Sequence, residues 1–174
     1  MSRPPLLGEE GKVLYFTIGN GSLRRWLEFI KGGQNMYQRI LVPLDLSEKS
    51  LSAVDVAFDF AKQFGAQVVL LHVIETIEHV AFDELKPFYQ RLEASASKGL
   101  QECAERFIQN KLSVDQAVVY GHRTKEIINY AIGNRSDLII MASHRIDPDR
   151  PGHDWSSISY SVAILSPCPV LLVK

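Results

Sequence analysis

The sequence predicts an α/β fold: an open, five-stranded parallel sheet with helices on both faces. Three observations predict it. From Tyr37 onward, apolar runs rich in β-branched residues alternate with segments of helical period, the pattern of successive βαβ units. Leu138 to Met141 is apolar without interruption, as expected of a strand covered on both sides. Ile40 to Asp45 (ILVPLD) ends abruptly in a lone carboxylate and gives way to a helix start.

The elements follow in order. The first strand is Arg39 to Pro43. The first helix starts from a Ser47 cap and aligns Leu51, Val54, Ala57, Phe58, Ala61 and Phe64 in one stripe before Gly65 stops it. Gln67 to Val73 is the second strand, Glu75 to Phe82 reads as loop, and a long helix covers Glu84 to Gln109. Asp115 to Tyr120 is the third strand, ending at Gly121. The third helix, Thr124 to Ile132, closes on Gly133-Asn134, a pair suited to a left-handed cap. Asp137 to Met141 is the fourth strand. Residues 142–154 show no helical period, Ser156 to Leu165 forms a short last helix, and Pro169 to Val173 is the last strand, stiffened by Pro167 and Pro169. Val170-Leu171-Leu172-Val173 is too apolar for an open edge, so this edge, or the surface beside it, is expected to pair with a second copy.

Size and composition narrow the function. At 174 residues, with 46% hydrophobic and 22% charged residues, the chain suits one domain with a full core. A net charge of -1 supplies no basic field for nucleic acid or an anionic membrane surface, and neither partner is expected. The apolar runs are strand-length, far below the ~20 residues that span a bilayer. Cys103 and Cys168 form no C-x-x-C pair or disulfide framework, which fits a reduced, cytoplasmic setting.

Residues 1–35 read differently from the domain that begins at residue 36. Gly8, Gly11, Gly19, Gly21, Gly32 and Gly33 crowd a segment without sustained period, and it lacks the order of features that makes a secretory signal. Two readings stay open. One is a poorly ordered tail with a short amphipathic turn at Leu23 to Leu27. The other is a misassigned start, since Lys31-Gly32-Gly33 is compatible with a ribosome-binding AAGGAGG ahead of Met36.

An open parallel sheet binds its ligands at the carboxyl ends of its strands, where Asp45 stands. Ser47 already offers a cap for the first helix, so Asp45 is assigned a ligand role. Ile40 to Asp45 with Ser47, Leu70-Leu71-His72-Val73, Gly121, Asp137 to His144, and Pro167 to Val173 occur in this order, and together they resemble the universal stress protein family over residues 36–174. The resemblance is to its single-domain bacterial type. It implies an adenine nucleotide alpha hydrolase-like sheet of strand order 3-2-1-4-5, a homodimer through Val170 to Val173, and a crevice between the first and fourth strands that takes ATP or AMP. It further implies that Asp45 and the backbone near Val73 look toward the adenosine, that a loop from Ala142 and Arg145 to Ser156 and Ser157 carries the phosphates, and that Pro43, Leu44, Met141 and Ile158 also belong to the nucleotide site.

The family's phosphate loop reads G-x-x-G-x9-G-S/T, whose glycines let backbone N–H groups approach phosphate oxygens ahead of a helix start. Here Ala142 and Arg145 replace the first two glycines, Ser156 the last, and the span is one residue longer. Asp147, Asp149 and Asp154 add negative charge and Trp155 adds bulk, while Arg145 offers a bidentate donor and Ser156, Ser157 and Ser159 offer hydroxyls. This degenerate loop leaves two outcomes: weak ATP or AMP binding, or loss of nucleotide and action through protein contacts made by Ile146 to Trp155.

An enzyme is not expected. The chain lacks an H-x-G-H pair, a G-x-x-x-x-G-K-S/T loop, an S-G-G-x-D-S loop and the acidic pair of a phosphorylated receiver; a weak ATPase is the remaining enzymatic reading. His72 reads as a packed, hydrogen-bonded histidine. His144, His153 and nearby aspartates match no closed zinc spacing, so no metal is expected. Gly121-His122-Arg123 reads as a turn into the third helix, although it could approach the crevice. Neither cysteine is assigned as a nucleophile.

Overall fold

The computed structural model describes residues 36–77, 85–144 and 157–174, together with the backbone of 15–17. In chain order the elements are β1 (Tyr15–Thr17), β2 (Arg39–Pro43), α1 (Glu48–Phe64), β3 (Gln67–Ile74), α2 (Lys86–Gln109), β4 (Val114–Tyr120), α3 (Arg123–Gly133), β5 (Leu138–Ala142), α4 (Ile158–Leu165) and β6 (Val170–Val173). They form a six-stranded sheet of order β1-β6-β5-β2-β3-β4. All pairings among β2 to β6 are parallel, so the expected order 3-2-1-4-5 is present within it.

Alternation along each strand splits the core into two layers. Ile40, Val42, Val68, Leu70, Ile140 and Leu171 face α1 and α2, where they meet Ala53, Ala57, Phe58, Leu100 and Phe107. Leu41, Val69, Leu71, Ile139, Met141 and Val170 face α3 and α4 and meet Ile127, Ala131 and Val162. Both sets are buried, which is why these strands read as unbroken apolar runs. The Asp137 carboxylate accepts hydrogen bonds from the backbone N–H groups of Gln38 (2.9 Å) and Arg39 (3.1 Å), fastening β5 beside β2.

Several local expectations change. Gly65 does end α1 in a left-handed conformation (φ 66°), its N–H donating to Ala61 O. The third helix ends otherwise. Gly133 stays helical, Asn134 is right-handed, and Arg135 takes the positive φ (52°), with Ser136 N–H closing on Ala131 O at 2.9 Å. One more helical residue is accommodated before the reversal, which moves the left-handed position past the glycine. Helix α2 is described from Lys86, and Glu84 lies outside the described residues.

The outer edge of β6 has a partner within the chain itself. Here β1 of the same chain pairs with it antiparallel, in the register Tyr15↔Leu172, Phe16↔Leu171 and Thr17↔Val170. An apolar edge requires backbone partners, and residues 15–17 supply them.

Candidate nucleotide-binding site

Strands β2 and β5 lie side by side and parallel, so their carboxyl ends open together between α1, α3 and α4. A cavity of about 840 Å³ occupies this position, within the size range of small-molecule sites. From β2 it is lined by Pro43, Leu44 and Asp45, from β3 by Val73, from β5 by Met141 and Ala142, and from the start of α4 by Ser157 and Ile158. These are the expected site residues apart from Arg145 and Ser156, which lie outside the described residues with Asp147 to Trp155.

Asp45 holds its place through a local turn. Its Oδ1 accepts from the Ser47 N–H at 2.9 Å and from Ser47 Oγ at 2.7 Å. The Ser47 hydroxyl is thereby used on the carboxylate and makes no side-chain cap on α1, contrary to expectation. Partial burial alone would raise the carboxyl pKa. The hydrogen bonds from the Ser47 side chain and backbone, with the Ser50 hydroxyl, outweigh it and keep Asp45 below its ordinary value, hence anionic.

Between them, Leu46 adopts φ 62°, a left-handed conformation uncommon for a bulky residue. Its side chain packs where a Cβ on Gly99 of α2 would come within 3.1 Å of Leu46 Cδ1. The absent Cβ at Gly99 leaves room for the side chain that anchors this turn. His72 lies beneath it, with Nδ1 donating to Leu44 O at 2.8 Å, as its packed, hydrogen-bonded reading anticipated. Because Nδ1 is committed, the outward-facing ring nitrogen is Nε2.

The opposite wall is made of hydroxyls. Ser143 Oγ lies 3.1 Å from Ser159 Oγ, and Ser159 Oγ lies 3.2 Å from Ser157 Oγ, a chain joining the end of β5 to the first turn of α4. Ser157 caps α4, its Oγ accepting the Tyr160 N–H at 3.3 Å. This wall offers neutral donors next to a helix start, where an anion is favoured.

At the β3 side, Arg123 and Ile127 of α3 join the lining. The turn at Gly121-His122-Arg123 therefore does more than lead into a helix, because Arg123 reaches the crevice. Lys49 and Lys174 line it as well, and neither was expected from the sequence. Away from it, Cys103 has its thiol pKa pushed up by burial and by Glu102, which disfavours a reactive thiolate. Among the described residues no cluster of His, Cys, Asp or Glu is placed to hold a metal ion, and no helix is long and apolar enough to cross a membrane.

This fold agrees with the comparisons. The sequence profile of the universal stress protein family matches residues 36–174. The chain belongs to the universal stress protein family. Among curated members it is 26% identical over 154 residues to Universal stress protein MJ0531 of Methanocaldococcus jannaschii, covering 83% of this chain and 86% of that one. Among solved structures, the hypothetical protein MJ0577 superposes with a TM-score of 0.68 at 28% identity, covering 79% of this chain and 96% of that one. A universal stress protein solved in complex with cAMP superposes with a TM-score of 0.62 at 21% identity, over 79% of this chain and 97% of the other, a likeness of fold.

Proposed function

We propose that this chain is a non-enzymatic, cytoplasmic stress-response protein that binds an adenine nucleotide, ATP or AMP, weakly between β2 and β5. The observation that carries the reading is the asymmetry of the cavity. An anionic Asp45 and the apolar Val73 and Ile127 lie toward β3, and a serine wall at the start of α4 lies toward β6. A nucleotide has the same asymmetry: a flat apolar base and a ribose whose hydroxyls donate to a carboxylate, then phosphates that accept from N–H and O–H groups. The complex of a relative with cAMP supports an adenine nucleotide as the class of ligand. Ala142 and Ser157 stand where a glycine-rich loop would let backbone N–H groups close on phosphate, which argues for modest affinity, with Arg145 and Ser156 as further phosphate donors.

The chemistry favours holding over turnover. Asp45 is a depressed carboxylate and a poor general base near neutrality. Mass spectrometry of nucleotide released from freshly purified protein, followed by calorimetry with ATP and AMP, tests the proposal. Asp45→Ala is expected to weaken binding about tenfold, the loss of a charge-assisted hydrogen bond. Unchanged affinity would remove Asp45 from the site, and metal-dependent ATP turnover lost in the variant would replace binding with catalysis.

A further inference from the structure

Arg123 is the first residue of α3, where a cation faces the positive end of the helix dipole and is locally disfavoured. Such a local conflict at the wall of a cavity points to a role beyond folding. Its Nη2 lies 3.4 Å from Glu75 Oε2, both side chains are about half exposed (46% and 48%), and a pair so exposed adds little stability. The pair is nevertheless positioned by the backbone. The Gly121 N–H donates to Ile74 O at 3.0 Å, which brings the residue after β3 beside the start of α3. Gly121 has φ 142°, and a Cβ there would come within 2.8 Å of Glu126 Cγ, so this close approach requires glycine.

Strand order determines which part of a ligand Arg123 meets. β3 and β5 flank β2, so the α3 side of the cavity is about 10 Å from the serine wall, two strand spacings away. With the phosphates at the start of α4, Arg123 stands nearer the other end of the nucleotide, alongside Val73 and Ile127. A guanidinium held by one carboxylate keeps a flat face for stacking and further N–H donors for a ring nitrogen.

We infer that Arg123, oriented by Glu75, is a specificity-determining residue that holds the base of the bound nucleotide and favours a purine over the smaller pyrimidine. The inference rests on the nucleotide reading above. Arg123 binds the base, and Glu75 is a positioning residue that limits where the guanidinium points.

Calorimetry of the full chain with ATP, AMP, CTP and inorganic tripolyphosphate tests it. Arg123→Ala is expected to weaken ATP and AMP by the same factor, roughly tenfold, to erase the preference for ATP over CTP, and to leave tripolyphosphate unchanged. Arg123→Lys does not restore the preference, since an ammonium has no plane to stack. Glu75→Gln keeps the volume and loosens the guanidinium, lowering ATP affinity about threefold with the same indifference to tripolyphosphate. Thermal midpoints of the variants stay near that of the wild type. Tripolyphosphate weakened as much as ATP would make Arg123 a phosphate ligand, and an unchanged ATP-to-CTP ratio would remove it from base selection; either result overturns the inference alone. A wild-type chain that takes none of the nucleotides overturns the nucleotide reading, and this inference with it.

Discussion

Two helices begin at the same cavity, each after a serine, and the two serines are used in opposite ways. At α4, Ser157 turns its hydroxyl inward and caps the helix through Tyr160 N–H. At α1, Ser47 turns its hydroxyl back to Asp45 and leaves its helix without a side-chain cap. One helix start is completed for its own sake. The other gives up local stability to hold a carboxylate in its ionised form at the cavity wall. A residue type that suits a cap thus reports a helix boundary, but where its side chain is spent depends on the acceptor next to it.

The largest expected effect comes from disturbing the α1 side alone. Gly99→Ala would push a methyl against Leu46 and is expected to cost about 1–3 kcal/mol in chemical denaturation, with loss of ligand affinity as the Asp45 turn shifts. If the variant is as stable as the wild type, Leu46 is not what braces that turn. Removing the completed cap comes next. Ser157→Ala is expected to cost about 1 kcal/mol, read as a lower denaturant midpoint at unchanged slope.

The smallest effect is expected for Ser47→Ala, about 0.5 kcal/mol near neutral pH, because Asp45 retains the Ser47 backbone N–H. Its pH dependence separates the two serines. The folded-state pKa of Asp45 is depressed, so its contribution is present above the ordinary value of 3.8 and is lost as pH falls through the lower folded value. Wild type and Ser47→Ala are therefore expected to converge in stability on acidification, whereas Ser157→Ala keeps its deficit. Parallel curves for all three proteins would show that Ser47 does not stabilise the ionised carboxylate.

How much of this was legible follows the range of each interaction. The strands from β2 to β6 were readable because burial on both faces writes itself as uninterrupted apolar runs, and Gly65 was readable because a left-handed stop is a local requirement. The site was readable as far as strand ends converge: Pro43, Leu44, Asp45, Met141 and Ala142 meet because β2 and β5 are neighbours. Leu46 was missed because its left-handed backbone is held by Gly99, far along the chain on α2, and no neighbour in sequence signals that space. Arg123 was read as turn because its placement depends on the Gly121 to Ile74 hydrogen bond between strand ends. β1 left no trace, since backbone pairing over three residues needs no side-chain pattern.

That short antiparallel seam has a consequence for assembly. A row of backbone donors and acceptors seats one strand at a time, and along Val170 to Leu172 the seat is filled by the chain's own residues. Any second molecule docking by that route must first evict Tyr15 to Thr17, so self-association there becomes a contest between a tethered occupant and a free one, decided by protein concentration.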